Sequence, residues 1–320
     1  MLTVAITGAS GFIGGRLVAA HLERGDRVRV LTRGRGAALE GTRMFIGDLA
    51  VETDTAFVDG ADIVYHAAAE LRDAARFEKV NIEGTERLLA QACGRVGRWV
   101  QLSSVGVYGD GHGGTVDERT PPRPRPGYEW SKLEADRRVE RACTRSGTPW
   151  SILRPSIVVG PGMTNRSIGS LIRAVMLGRF FHMGSRESIA TLVHVDDVVR
   201  ALIAISNAAS GAIANVSSDC PWEDVIARIC SRSGRRPPRL RMPRTMAMLV
   251  AHAGTVIPGF PLSPSRVRAL TSLTRYPSCR LIELTGMRLM RSMPEGLDDA
   301  IDACRSGTPS PHPGRGRLSP

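Results

Sequence analysis

Short apolar runs alternate with helical-period segments through the front half of the chain. Leu2–Thr7 is a compact apolar run, Arg27–Thr32 alternates charged and apolar side chains, and Met44–Ile46, Asp62–His66 and Trp99–Ser103 are further short runs. Runs of this length, bounded by turn residues, read as strands. Apolar residues recur at helical spacing over about Phe12–Arg24, Phe77–Val96 and Tyr128–Ser146, and the last leads into a strand at Trp150–Leu153. Strand–helix alternation with largely apolar strands predicts an α/β fold built on a doubly wound parallel sheet. Pro121-Pro122-Arg123-Pro124-Arg125-Pro126 is a stiff connector, because proline fixes φ and cannot join a ladder. After Gly160-Pro161-Gly162 the alternation weakens, and helices are predicted at about Ser167–Leu177, Val195–Asn207 and Pro221–Ser233. The expected organisation is a sheet domain over 1–160 and a smaller, mostly helical substrate domain over 161–304. A segment of about 188–216 returns to the first domain, and a disordered tail covers 305–320, where Pro, Gly, Ser and Arg dominate. No internal repeat at solenoid or propeller period is present.

Composition narrows the class. With 320 residues, 42% hydrophobic, 23% charged and a mean hydropathy of −0.09, the chain is neither disordered nor a disulfide-stapled miniprotein. Its six cysteines form no C-x-x-C pair and read as reduced thiols, so no metal site is expected. No run approaches the ~18–20 apolar residues that cross a bilayer, and the apolar N-terminus lacks a basic lead-in. A cytoplasmic protein without stable membrane insertion is expected.

Charge changes the picture more. Net charge is +12, yet residues 1–150 are nearly neutral, and Arg228–Arg291 holds 13 arginines against one acid, Glu283. A GC-rich genome accounts for arginine over lysine, since only Lys79 and Lys132 are lysines, but not for the missing acids. An anionic small-molecule substrate is therefore expected. Basic charge without interleaved aromatics is poor support for nucleic acid, and none is expected as a partner.

The first strand ends in Thr7-Gly8-Ala9-Ser10-Gly11-Phe12-Ile13-Gly14, a G-x-x-G-x-x-G turn opening a helix. Glycines there let the backbone approach a pyrophosphate seated on the helix N-terminus. Where an acid would grip the ribose 2′-hydroxyl of NAD, the second strand ends in Thr32 and Arg33, with Arg35 beyond. An arginine accommodates a 2′-phosphate, so NADP is preferred, with NAD possible. Tyr128-Glu129-Trp130-Ser131-Lys132 puts a phenol and an ammonium at i and i+4, on one helix face. A cation nearby is expected to lower the phenol's pKa toward useful acid/base chemistry. Ser103-Ser104 stand at the carboxyl end of a parallel strand, where such sheets bind ligands.

Taken in order, several motifs resemble one family. They are T-G-A-S-G-F-I-G, Gly47-Asp48-Leu49, His66–Ala69, Asn81 to Thr85 (N-x-x-G-T), S-S-x-x-V-Y-G, Y-x-x-x-K, R-P-x-x-V-x-G-P-G from Arg154 and His194 to Val198. The stretch from about Leu2 to Val216 is similar to the extended short-chain dehydrogenase/reductases, the NAD-dependent epimerase/dehydratase and 3β-hydroxysteroid dehydrogenase-like group. The resemblance implies a Rossmann-type fold and an NAD(P)-dependent oxidoreductase, epimerase or dehydratase. It implies Ser104, Tyr128, Lys132 and Asn81 as the catalytic set. Ser104 is taken over Ser103 because the family's catalytic Ser or Thr stands four residues before the aromatic of V-Y-G, here Tyr108. Cofactor contacts are expected from Gly8, Ser10, Gly11, Phe12, Ile13, Gly14, Arg33, Asp48, Leu49, Ala67, Ala68 and Pro155, and again from Tyr128 and Lys132. A homodimer is expected.

Other polar residues have quieter readings. His66 and His194 are expected to be structural, Asp196 and Asp197 to cap a helix, and His182 to pack. Met246–Phe260, the most apolar stretch of the back half, would cover a pocket or rest on a lipid surface. Two substrate readings compete, with a non-catalytic NADP-sensing or nucleic-acid-binding relative as a third. A nucleotide sugar explains the arginines, since pyrophosphate pairs with guanidinium forks. A hydroxysteroid-like or dihydroflavonol-like alcohol or ketone fits Arg154-Pro155 and the apolar stretch. The nucleotide sugar is the leading expectation.

Overall fold

The computed structural model describes residues 1–34, 39–51, 55–163, 165–256, 260 and 262–306. Arg35, residues 257–259 of the Met246–Phe260 segment, and 307–320 of the expected tail lie outside these. In chain order the first elements are β1 (Thr3–Thr7), α1 (Phe12–Glu23), β2 (Arg27–Thr32), β3 (Thr42–Ile46) and β4 (Ile63–His66). There follow α2 (Gly84–Ala92), β5 (Trp99–Leu102), α3 (Tyr128–Ser146), β6 (Trp150–Pro155) and β7 (Ile157–Val159). Then come α4 (Arg166–Met176), β8 (His182–Met183), β9 (Ile189–His194), α5 (Val195–Ile205), β10 (Ala212–Val216) and β11 (Ser218–Pro221). The described chain finishes with α6 (Trp222–Ser233), β12 (Arg241–Met242), α7 (Arg244–Ala253), α8 (Pro264–Leu270), α9 (Cys279–Thr285) and α10 (Asp298–Ser306).

Seven strands form one parallel sheet in the order β10-β6-β5-β4-β1-β2-β3. Successive side chains of a strand face opposite ways, and both faces here are buried. Val4 and Ile6 of β1 pack with Leu17, Val18 and the α5 residues Val198 and Leu202, while Ala5 packs with Val64, Leu88 and Leu89 on the other face. The strand order reverses between β1 and β4, and the carboxyl ends of strands at such a switch open a crevice for ligands.

The back half departs from a simple helical reading. β9 pairs with β7 and β11 in a three-stranded sheet, and β8 with β12 in a two-stranded one. The three-stranded sheet shares a core with α4, α6 and α10 through Ile168, Ile172, Val225, Ile229 and Ile301, while β8 and β12 pack with α7 and α8 through Met183, Met242, Ala247 and Val267. The predicted helix over Phe77–Val96 is two pieces, a π-helical turn at Glu78–Glu83 and then α2. No helix among the described residues is long and apolar enough to cross a membrane.

Candidate active site

Everything at the crevice starts from the β1–α1 turn. Gly8 has φ +71°, a region that only glycine enters without strain, and a Cβ there would lie 2.7 Å from the Ala68 nitrogen. At Gly14 a Cβ would lie 2.2 Å from the Gly8 carbonyl oxygen, so the helix can approach the strand only without one. Gly11 opens α1 with no side-chain cap and no acid in the first turn, leaving the helix's leading N–H groups toward the crevice. That cradle fits the pyrophosphate of a dinucleotide. β1 and β4 are tied together beneath it: the Thr7 hydroxyl lies 2.7 Å from His66 Nδ1 and accepts from the Ala68 N–H at 3.1 Å. His66 Nε2 contacts the Thr85 hydroxyl at 2.9 Å, and burial holds the imidazole down at about 3, neutral and structural.

A cavity of about 890 Å³ runs along the sheet's carboxyl edge. Its walls include Gly8, Ser10, Gly11, Phe12, Ile13 and Gly14 from the turn, Arg33 beyond β2, and Asp48 and Leu49 beyond β3. Ala67 and Ala68 beyond β4, Ser104 beyond β5, Tyr128 and Lys132 of α3, and Pro155 of β6 complete the sequence-predicted set. Asn81 is the exception. It is buried in the π-helical turn, where its Oδ1 accepts from the Glu70 N–H (2.7 Å) and its Nδ2 donates to the Glu70 carbonyl (3.1 Å) and the Ser131 hydroxyl (2.9 Å). Asn81 therefore pins the loop after β4 to α3 and does not itself reach the cavity wall.

Lys132 Nζ donates to the Leu102 carbonyl at 2.6 Å, and burial brings the ammonium's pKa down to about 8. Tyr128 meets Phe77 edge-on at 6.1 Å between ring centroids. Its phenol does not show the lowered pKa expected from the sequence. Burial, with the carboxylates of Asp136 and Glu129, pushes it well above the ordinary value, so Tyr128 stands protonated. The two neighbouring serines divide their work. Ser103 is buried and donates to Asp136 at 2.7 Å, whereas Ser104 caps a 3₁₀ turn, accepting from the Gly106 N–H at 3.0 Å.

The sequence reading missed the network under this pair. Asp136 follows Lys132 by four residues, and its Oδ2 accepts from Arg154 Nε (3.3 Å) and Nη2 (3.2 Å). Arg154 Nη1 donates to the Tyr108 hydroxyl, which donates to Asn215 Oδ1, both at 3.0 Å. All four side chains are buried. The chain couples α3, β6, the turn after β5 and β10. Its signal was available in the i, i+4, i+8 spacing of Tyr128, Lys132 and Asp136.

His194 Nδ1, not Asp196 or Asp197, caps α5, accepting from the Asp196 N–H at 3.2 Å. Asp196 instead pairs with Arg16 and Arg291, and Asp197 accepts the Met290 and Arg291 N–H groups at 2.9 Å. His182 packs edge-on against Phe180. Among the described residues no His, Cys, Asp and Glu cluster could hold a metal ion.

The arginine window looks different in three dimensions. Arg228 and Arg232 pair with Asp298 and Asp302, just past its end, and Arg241 with Glu223, just before its start. Arg280 pairs with Glu283. None of the arginines from 228 to 291 lines the 890 Å³ cavity, whose wall arginines among the described residues are Arg33, Arg72 and Arg76.

A model of the NAD-dependent epimerase/dehydratase family matches residues 4–217. A farnesyl-dihydroquinoline-oxide ketoreductase of Stigmatella aurantiaca is 30% identical over 292 residues, covering 86% of this chain and 84% of that protein. A 3β-hydroxysteroid-dehydrogenase/decarboxylase of Arabidopsis thaliana is 28% identical over 278 residues, covering 76% of this chain and 62% of that protein. Among solved structures, MoeE5 in complex with UDP-glucose and NAD superposes with a TM-score of 0.72 at 25% identity, over 96% of this chain and 99% of that one.

Proposed function

Because the chain belongs to the NAD-dependent epimerase/dehydratase family, we propose that it is a reductase or dehydrogenase working at the ketone or secondary-alcohol carbon of a largely apolar substrate. One observation carries the chemistry: a phenol held protonated, Tyr128, shares a cavity wall with a buried ammonium, Lys132, and with the glycine turn. A dinucleotide held by the Gly8–Gly14 turn would supply or accept the hydride. Tyr128 then donates its proton to the carbonyl oxygen as the alcohol forms, and takes it back in the reverse direction. Lys132 lines the same cavity, where its positive charge would serve that oxygen and a cofactor ribose hydroxyl. Ser104 orients the carbonyl, and Asn81 acts as a positioning residue through Ser131 and the loop at Glu70.

Arg33 supports NADP over NAD. It stands at the cavity at the end of β2 with no acid beside it, and among the described residues no carboxylate lies within 4 Å of its side chain. NAD remains compatible with the same cradle.

For the substrate, the arginine excess was the argument for a nucleotide sugar, and its members from 228 to 291 stand off the cavity wall. Leu71, Val80, Ile157 and Val158 line the same cavity as Tyr128. The relatives named above, a ketoreductase of a farnesyl-bearing dihydroquinoline oxide and a hydroxysteroid dehydrogenase/decarboxylase, support the same reading. A nucleotide sugar is the second reading, favoured by the UDP-glucose complex of MoeE5. The test is to assay sterol-like and prenylated ketones beside UDP-sugars, following cofactor absorbance and products, with Tyr128→Phe as control. Turnover of a neutral ketone, reduced ~10²–10⁴-fold by Tyr128→Phe while cofactor affinity holds, is the expected result. Turnover of UDP-sugars alone would establish the second reading, and full activity of Tyr128→Phe would overturn the chemistry.

A further inference from the structure

We propose that the outer face of α7, with the arginines around it, docks this protein onto an anionic lipid bilayer. Only Ala247 and Ala251 of α7 are fully buried, where they meet Val267 of α8 and Met183. Met246, Leu249, Val250 and Ala253 follow one another at i, i+3, i+4 and i+7, which puts them on a single stripe of the helix. That stripe faces outward: Met246 is 55% and Leu249 72% exposed, and Leu240, just before the helix, is 66% exposed. Apolar side chains gathered on one outward face call for a partner, unlike scattered ones.

The charge around the stripe says which partner. From residue 225 to 282 the chain has 11 arginines and no acid. Arg228, Arg232, Arg241 and Arg280 are tied to carboxylates. Arg235, Arg236, Arg239 and Arg244 are exposed, and among the described residues no carboxylate lies within 4 Å of them. These four lie in the segment leading into α7 and on its first residue. Arg268 is exposed on α8, the helix that packs against it. An apolar stripe entering the acyl boundary, with arginines beside it reaching up to lipid phosphates, is how a helix lies in a membrane interface.

A second copy of the chain fits poorly. A two-fold contact about this face would bring the exposed Arg235, Arg236, Arg239 and Arg244 of one copy near those of the other. A protein groove also fits less well than a bilayer. The stripe carries no aromatic anchor of the kind that dominates protein interfaces. The docking does not depend on which substrate the cavity takes.

The experiment is co-sedimentation of the full chain with vesicles of phosphatidylcholine alone, or with about 30% phosphatidylglycerol, at low and high salt. Binding is expected only to the anionic vesicles, and should fall at least about tenfold at high salt. The double variant Met246→Glu/Leu249→Glu should weaken it at least about tenfold, and so should Arg236→Glu/Arg239→Glu. Because these side chains are exposed, cofactor titration and thermal unfolding should be unchanged in both variants, which reports that they fold. Absence of binding to anionic vesicles at low salt would overturn the proposal, as would binding that neither double variant alters. So would sedimentation velocity showing that the stripe variant breaks a self-associated species, which would give the face to a second copy. Capture of an acidic protein through the stripe without vesicle binding would overturn it too.

Discussion

Replacing Lys132 by methionine should make the ligand-free protein more stable while removing its turnover. The ammonium is 3% exposed, and burial brings its pKa from 10.5 to about 8. At roughly 1.4 kcal/mol per pH unit, carrying that charge destabilises the fold by about 3 kcal/mol at neutral pH. Methionine is close in length and has no charge to desolvate. Against this stands the bond to the Leu102 carbonyl, whose loss costs about 1–2 kcal/mol. The net expectation is a gain of about 1–2 kcal/mol, read from urea unfolding at pH 7 with unchanged slope. The pH dependence makes the test sharper. Between about pH 8 and 10.5 the folded protein has released the Lys132 proton while the unfolded chain still holds it, so wild-type stability rises with pH there. The variant has no such proton, and its advantage should shrink by about 2 kcal/mol between pH 7 and 9.5. Taking the difference between the two proteins cancels Tyr65 and Tyr276, whose burial-raised phenols titrate in both. A variant less stable than wild type at pH 7, with a gap that ignores pH, would refute the claim that Lys132 is held charged against its own burial.

Two further outcomes are expected at the nucleotide end. Arg33→Asp should reverse or flatten a preference for NADPH over NADH, by roughly tenfold or more if one charge-assisted bond of about 1.5–3 kcal/mol is lost; equal NADPH and NADH affinities in the unaltered protein, by titration, would remove the basis for the NADP proposal. Gly8→Ala should abolish cofactor binding and lower stability by about 1–3 kcal/mol, since its new Cβ would meet the Ala67 and Ala68 backbone in a glycine-only conformation. A soluble, cofactor-binding Gly8→Ala protein with unchanged unfolding would show that the turn can move.

How much could be read from the chain depended on how local the signal was. β1, β4 and β5 announce themselves because strands buried on both faces are compact apolar runs, β2 by its alternation of charged and apolar side chains, and the turn after β1 because no other residue fits Gly8 and Gly14. The three-stranded sheet of β7, β9 and β11 gave no comparable signal. Its strands are three to six residues long and two of them run straight into other elements, as Ile189–His194 does into α5. The V-Y-G motif pointed to Ser104 over Ser103, but the bond that occupies the Ser103 hydroxyl goes to a partner 33 residues away, Asp136, which no local pattern announces. The arginine count misled for a related reason. A window along the chain stopped short of Asp298 and Asp302, which α10 brings back against Arg228 and Arg232 on α6. What survives that pairing is a smaller set of arginines away from the cavity wall, of which Arg235, Arg236, Arg239 and Arg244 lead into or open α7.

The two buried cations of α3 and β6 show why residue type matters more than charge here. The chain has 41 arginines and two lysines, so a lysine at a buried position needs a reason. Arg154 is given an acceptor at each of its three nitrogens: Asp136 takes Nε and Nη2, Tyr108 takes Nη1, and the Tyr108 ring lies under the guanidinium at 5.2 Å. A guanidinium keeps its proton in any protein, so pairing of this kind, with a carboxylate among the acceptors, is what makes its burial tolerable. At position 132 the wall offers one carbonyl, that of Leu102. An arginine there would leave most of its five donors without partners, whereas an ammonium has only three and can give up a proton near pH 8. One of the three is spent on Leu102, which fixes the side chain. The others are left for hydroxyl oxygens entering the cavity that Lys132 lines. The same shortage of acceptors that makes Lys132 destabilising is what leaves it able to bind.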